Sequence, residues 1–491
     1  MALESPSKLR KTAVMEETSL TAMQALLDRQ RAAFVNSRPE PLLCRRERLD
    51  RLITLLVEHG EALSRAMSAD FGHRSVVQGV MGDVLPAVSL AKYCRKNLSR
   101  WTRPERRRPM FPLGLLGARA EVRHEPKGVI GIVAPWNFPI GLTLAPLAQV
   151  LAAGNRAMIK PSEYTPETGA LLQQLIGQYF VEEEVTVCLG GMETGQAFCS
   201  LPLDHLVFTG ATGVGRAVLR AAADNLVPVT LELGGKSPVI LGQKVKLDQA
   251  AERIVIGKML NAGQICLAPD YLLVPEEMQG SVISAIGDAA QRMYPTLLSN
   301  DDYSCIMSDR HRDRLAGLID DAVARGAEAI ELNPDGEDFT SANLRKLPLT
   351  LLTGVDDSMA VMQEEIFGPV LPVMTYGHID EAIDYVNARD HPLGLYYFGE
   401  DATERENVVG RTQSGGVGIN DVVLHASMDD LPFGGIGASG MGNYHGPEGF
   451  RTFSHARAVF RQTPLDFARL AGLKPPYGPA LQRLLKLQIR E

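Results

Sequence analysis

Six cysteines, Cys44, Cys94, Cys188, Cys199, Cys266 and Cys305, are the strongest nucleophiles this chain can offer. A thiolate attacks a carbonyl carbon well, because sulfur is reactive even when only partly ionised. The six are widely spaced, with no CxxC and no Cys/His spacing of a metal site, so they read as reduced thiols and no metal is expected. Their types alone do not separate a nucleophile from packing residues. A second set of residues points to a ligand. The polar or Gly-rich pieces Pro135-Trp136-Asn137, Lys160-Pro161-Ser162-Glu163, Thr209-Gly210 and Gly234-Gly235 each follow an apolar run.

Those runs are strands of an alternating pattern. Residues 17–100 read as mostly helical, 101–112 as a Pro/Arg-rich connector, and 113–126 as an extended arm. From 128 the order is strand 128–134, buried helix 140–153 ended by Gly154, strand 156–160, and a helix begun at Thr165-Pro166-Glu167. Strands at 184–189, 203–208 and 227–233 follow, with helices at 194–199 and 213–223 between them. Such alternation predicts an α/β chain with a parallel sheet covered on both faces. Ligands of such sheets bind beyond the carboxyl ends of the strands, where the polar pieces fall. That placement predicts a nucleotide site. After Gly235 a second α/β region runs to about residue 430, with helices at 248–262, 276–294 and 310–324.

The bulk properties exclude other classes. A chain of 491 residues is too long for one core. A net charge of −8 gives no support for nucleic-acid binding. The basic run Arg100, Arg103, Arg106, Arg107, Arg108 reads as solvated surface. The uncharged stretch 128–155 is long enough to span a bilayer, but Pro135, Asn137, Pro139 and Pro146 break it into strand, loop and buried helix. Residues 1–10 hold no apolar run of a secretory signal, so a cytoplasmic protein is expected. Residues 480–489 suit a short amphipathic helix.

The order of seven segments resembles the aldehyde dehydrogenase superfamily over nearly the whole chain. They are Pro135-Trp-Asn-Phe-Pro139, Lys160-Pro-Ser-Glu163, Phe208-Thr-Gly-Ala-Thr212, Glu232-Leu-Gly-Gly-Lys-Ser-Pro238, Gly263-Gln-Ile-Cys266, Glu365-Ile-Phe-Gly-Pro369 and Pro432-Phe-Gly-Gly435. The ending Ser439-Gly-Met-Gly-Asn-Tyr-His-Gly446, with Phe453-Ser-His455, is similar to the class 3, or fatty-aldehyde-type, branch, and within it to the bacterial coniferyl aldehyde dehydrogenases. The resemblance implies a Rossmann-type parallel-sheet cofactor domain over 1–232 with its arm near 113–126. It further implies an α/β catalytic domain over 233–430, then a return to the cofactor domain and an oligomerisation tail over 431–491.

It also implies roles. Cys266 would be the nucleophile, forming a thiohemiacetal and then a thioester. Glu232, 34 residues earlier, would activate the hydrolytic water; the plainer alternative is a strand-end carboxylate capping a helix or pairing with Lys236. Asn137 would donate to the oxyanion, where a turn role is the alternative. The cofactor would be NAD, with NADP possible, held by Trp136, Lys160, Ser162, Glu163, Gly210, Thr212, Gly215, Glu365 and Phe367. Lys160 and Glu163 would take the ribose hydroxyls, and Gly210 and Gly215 would bracket a helix start facing the pyrophosphate. Ala211 stands where many relatives carry a polar side chain. For Glu365 the alternative is an ordinary surface carboxylate beside Glu364.

The partners expected are a small-molecule aldehyde and a second copy of the chain. If Phe138, Ile140, Leu142, Leu144, Ile265, Leu267 or Tyr271 line the substrate tunnel, it is apolar, which suits an aromatic aldehyde such as coniferyl aldehyde or a medium- or long-chain aliphatic one. A CoA-acylating enzyme of the same fold and a non-catalytic structural protein are the rival readings. His425, His445 and His455 read as structural or pocket-rim residues, and Met362 and Met428 as core. A catalytic Cys266 is expected to be alkylated readily near neutral pH.

Overall fold

The computed structural model describes residues 17–340, 344–470 and 472–489, so residues 1–10 lie outside the described residues. Three sheets organise it. The first has six strands in the order Gly440–Met441, Val229–Leu233, His205–Gly210, Val129–Val133, Arg156–Lys160, Val185–Val187. All pairs are parallel except the first, which is antiparallel. Successive strands run outward on one side from Val129–Val133 and then return to its other side with His205–Gly210. The direction of winding therefore switches between those two strands, and a crevice opens beyond their carboxyl ends.

The helices follow from local sequence. Gly141–Ala153 carries no charged residue and is buried on every side, which explains its membrane-like composition. Gly154 ends it at φ 90°, a left-handed conformation that suits glycine. Leu42–Phe71 buries Leu49, Leu52, Leu56, Leu63 and Met67, a helical stripe that packs over the same sheet. The Arg100–Arg108 run lies exposed, and no described helix is long and apolar enough to cross a membrane.

A seven-stranded sheet follows in the order Glu328–Leu332, Leu349–Thr353, Val370–Tyr376, Tyr271–Pro275, Pro238–Leu241, Gly394–Phe398, Gly416–Ile419. It is parallel except at its first pair. Glu105–Arg107, Arg119–Pro126 and Ser454–Arg461 form a small antiparallel sheet. The arm read over 113–126 is extended only from Arg119; residues 113–117 are turns. The helix read over 248–262 stops at Met259, because Asn261 and Ala262 take φ 49° and 52°. Helix Pro479–Gln488 closes the described chain.

Candidate active site

Cys266 sits on the connection between two strands of the seven-stranded sheet, Pro238–Leu241 and Tyr271–Pro275. Helix Leu247–Met259 ends, and Asn261, Ala262 and Gly263 then turn through positive φ before the loop reaches strand Tyr271–Pro275. Left-handed backbone at Asn261 and Ala262 costs on the order of 1–3 kcal/mol each and persists only where the surroundings impose it. Gly263 has no alternative, since a Cβ would stand 2.5 Å from the Gly368 carbonyl oxygen. The turn is pinned by Gln264, which is fully buried. Its Nε2 donates to the carbonyls of Asn261 (2.9 Å) and Cys305 (3.0 Å), and its Oε1 accepts from the Met307 N–H (2.9 Å).

Asn137 reaches the same turn from the other sheet, on the loop after Val129–Val133. It is buried, and its Nδ2 donates to the Gln264 carbonyl oxygen at 3.1 Å. An amide nitrogen carries two hydrogens, so one remains for another acceptor. Asn137 is therefore more than a turn residue: its side chain joins the loop of one sheet to the cysteine loop of the other.

Glu232 lies in the last full strand of the six-stranded sheet, opposite Thr209 on one side and Gly440 on the other. It is 2% exposed, yet neither carboxylate oxygen has a hydrogen-bond partner among the described residues. Pairing with Lys236 is ruled out by the geometry. The Lys236 ammonium is bound to Asp270 and to the carbonyls of Val361 (2.7 Å) and Glu364 (3.0 Å). Burial pushes the Glu232 carboxyl well above the usual carboxylate range. A buried carboxyl left unpartnered is costly, and such groups concentrate at functional sites.

Burial is also the main reason the Cys266 thiol is pushed up to about 12, with the charges of Glu365 and Glu232 adding to it and the Cys266 and Leu267 N–H groups opposing it. This environment disfavours ionisation of the Cys266 thiol in the free chain. Its alkylation by iodoacetamide is expected to be slow at pH 7 and to climb about tenfold per pH unit. A rate that levels off near neutrality would contradict this environment.

Of the residues expected to hold a dinucleotide, Trp136, Lys160, Ser162, Glu163 and Gly210 fall at or just beyond the carboxyl ends of strands of the six-stranded sheet. Lys160, at the end of its strand, is buried; its Nζ donates to the Pro161 carbonyl (2.7 Å) and lies 3.8 Å from Glu163 Oε2. Ser162 accepts the Tyr164 N–H at 3.3 Å and shapes that turn. Gly210 ends the next strand and leads into helix Thr212–Ala223, whose first turn has no side-chain cap. Its free N–H groups fit a pyrophosphate. Gly215 serves differently: its N–H is bonded to the Ala211 carbonyl (2.9 Å), and a Cβ there would stand 2.6 Å from Leu233. It lets helix and strand approach closely. The Thr212 hydroxyl donates to the Ala438 carbonyl at 3.1 Å.

Trp136 packs edge-on against Phe367 at 5.4 Å, and Phe367 is itself held at φ 52°. Glu365 is no surface carboxylate. Its Oε1 is buried without a partner among the described residues, and burial lifts its carboxyl to about 8, while the adjacent Glu364 is exposed and pairs with Arg314 at 2.9 Å. The buried Glu365 carboxyl and a capless helix start thus fit a group with hydroxyls and phosphates.

The apolar residues near the motifs divide between two cores. Ile140 and Leu144 are core residues of the buried helix, and Tyr271 belongs to the core of the seven-stranded sheet. Ile265, Leu267, Phe433 and Tyr444 belong to the same core as Ile140 and Leu144, and Cys266, Phe138, Leu260, Val423 and Ala426 pack against it. His445 stacks on Phe433 at 5.4 Å, and the His425 ring lies 5.9 Å from that of Tyr396, whereas His455 is exposed. Met362 is buried, but Met428 is exposed on the loop after Val423. The Tyr444 hydroxyl is buried without a partner among the described residues, and Glu232 and Cys266 both act on it electrostatically. The sequence reading missed Tyr444, although it stands in the quoted ending. It also missed Arg74 and Asp83, which no motif marks.

A thiol and an unpartnered carboxyl behind a dinucleotide crevice suit one class of work, oxidation at a carbonyl carbon by a nicotinamide-dependent oxidoreductase. Residues 1–459 match the family described as "Aldehyde dehydrogenase family", and the chain belongs to it. It is an enzyme of NAD(P)-dependent aldehyde oxidation. It is 50% identical over 461 residues to the "Coniferyl aldehyde dehydrogenase" of a Pseudomonas species, covering 94% of this chain and 95% of that protein. Among solved structures it is similar to the Staphylococcus aureus AldH in its substrate-bound state, with a TM-score of 0.88, 35% identity, and 95% and 99% of the two chains covered. The Mycobacterium tuberculosis aldehyde dehydrogenase complexed with NAD+ superposes with a TM-score of 0.81 at 29% identity, over 91% of each chain.

Proposed function

We propose that the chain oxidises phenylpropenal-type aromatic aldehydes, coniferyl aldehyde first among them, to carboxylic acids, with Cys266 as nucleophile, Glu232 as general base and Asn137 as oxyanion donor. The observation that carries the mechanism is the buried, unpartnered Glu232 carboxyl acting on the Cys266 thiol. Cys266 attacks the aldehyde carbon as its thiolate, the thiol proton having passed to solvent. The Asn137 amide and the Cys266 N–H donate to the oxygen that becomes negative. A bound nicotinamide dinucleotide supplies the acceptor for the hydrogen and two electrons that leave the aldehyde carbon. The carbon is then a thioester on Cys266. Glu232, once ionised, takes a proton from the attacking water, and the acid leaves with the thiol restored.

The Glu232 position also favours hydrolysis over acyl transfer to CoA, which needs no base for water. The aromatic side chains of Phe433 and Tyr444, in the core against which Cys266 and Phe138 pack, and the name of the 50%-identical relative support the aromatic substrate. Steady-state nicotinamide reduction with coniferyl, cinnamyl, benzyl, medium-chain and short-chain aldehydes tests it. The phenylpropenals are expected to give the highest kcat/KM, by about tenfold or more over the aliphatic series. A preference for aliphatic aldehydes would keep the mechanism and overturn the substrate.

NAD is the proposed cofactor. The Glu163 carboxylate beside Lys160 would repel the extra phosphate of NADP. The edge strand Ser454–Arg461, largely exposed, supports a homodimer formed along it. The six cysteines are all free, which supports a reducing, cytoplasmic setting.

A further inference from the structure

We infer that the buried Arg74–Asp83 pair is a positioning device that sets the oxyanion donor, by holding the segment 137–141 that carries Asn137 at two points. The inference rests on Asn137 having that role.

Arg74 and Asp83 are 1% and 0% exposed. Arg74 Nη1 donates to the Asn137 carbonyl oxygen at 3.0 Å, and its Nη2 stands 3.0 Å from Asp83 Oδ2. The guanidinium also faces the rings of Phe71 and Phe138, 5.1 and 5.0 Å from their centroids. Asp83 Oδ1 accepts the N–H groups of Ile140 (3.0 Å) and Gly141 at the far end of the same loop. One ion pair therefore holds the segment 137–141 at two points. On its other side the Asn137 carbonyl also accepts from Asn261 Nδ2 (3.2 Å), while the Asn137 amide donates to Gln264. The amide plane that must meet an oxyanion is thus fixed from the helical layer and from the cysteine loop together.

A fold-only role is a poor explanation for these contacts. A fully buried ion pair contributes little net stability, and neutral residues of similar volume commonly replace one without loss. What a rigid, forked guanidinium adds is geometry, and preorganised donors lose effect when they are free to move.

The test is a coupling cycle. The double variant Arg74→Met/Asp83→Asn removes both charges together, and the introduced carboxamide would keep an oxygen for the Ile140 and Gly141 N–H groups. It is compared with Asn137→Ala and with all three changes combined. Asn137→Ala is expected to lower kcat by about a hundredfold to a thousandfold. The double variant is expected to lower kcat by about tenfold to a hundredfold with KM for NAD unchanged. Added to Asn137→Ala, it is expected to cost less than about threefold more, because a clamp has no effect once its cargo is gone. The same factor in both backgrounds, or no loss in either, would overturn the clamp and leave the oxyanion donor standing. An Asn137→Ala enzyme with full kcat would overturn the oxyanion assignment and the clamp with it. Arg74→Lys, which keeps the charge but loses the fork, gives the same comparison if the double variant does not fold.

Discussion

Replacing Cys266 with Ala is expected to remove aldehyde oxidation, lowering kcat/KM by on the order of 10⁴-fold or more. The size follows from what the other thiols can do. Cys94, Cys188, Cys199 and Cys305 are buried in the cores. Cys44 lies on helix Leu42–Phe71, away from both loops that meet at Cys266. None of them can replace a thiol that faces Glu232. The fold should survive, since Cys266 is only half-buried on a loop whose shape is set by Gln264 and the positive-φ turn. A loss of stability within about 1 kcal/mol is expected. Steady-state nicotinamide reduction beside a urea melt checks both parts. Turnover that survives the change would remove Cys266 as nucleophile.

Replacing Glu232 with Gln is expected to lower kcat by about a hundredfold to ten-thousandfold, the usual worth of a positioned base. A general base works only when ionised, and the Glu232 carboxyl is raised by burial. Wild-type kcat should therefore fall as pH drops through that raised value and climb above it, and the variant should lose this limb. Stability depends on pH with the opposite sign. A carboxyl that binds its proton more tightly in the folded state contributes stability at low pH that is lost as pH rises through the folded pKa. Glutamine never ionises, so the variant should outlast the wild type in urea at alkaline pH. A pH profile identical in the two proteins would move the base elsewhere.

The alternating strands and helices from Val129 to Leu233 were legible because each run is short, apolar and ended by Gly, Pro or a polar turn. The loops that carry Asn137, Lys160 and Thr212 fall where strand order says they should. Three features were not legible. The helix end at Met259 is set by left-handed Asn261 and Ala262, in a turn held by the Gln264 side chain that periodicity does not encode. Tyr271 looked like a tunnel residue because it is near the cysteine motif, but the seven-stranded sheet takes it into its core. Arg74 and Asp83 meet Asn137 across more than fifty positions of chain, so only the folded structure brings them together.

The central claim is that the aldehyde carbon becomes bound to Cys266 and waits there for Glu232. Intact-protein and peptide mass spectrometry of the Glu232→Gln enzyme, quenched in acid after mixing with NAD and coniferyl aldehyde, measures this directly. The predicted result is one added acyl group, mapped to the peptide holding Cys266 and released by hydroxylamine. An adduct on another residue, or a burst of reduced nicotinamide with no adduct at all, would contradict it.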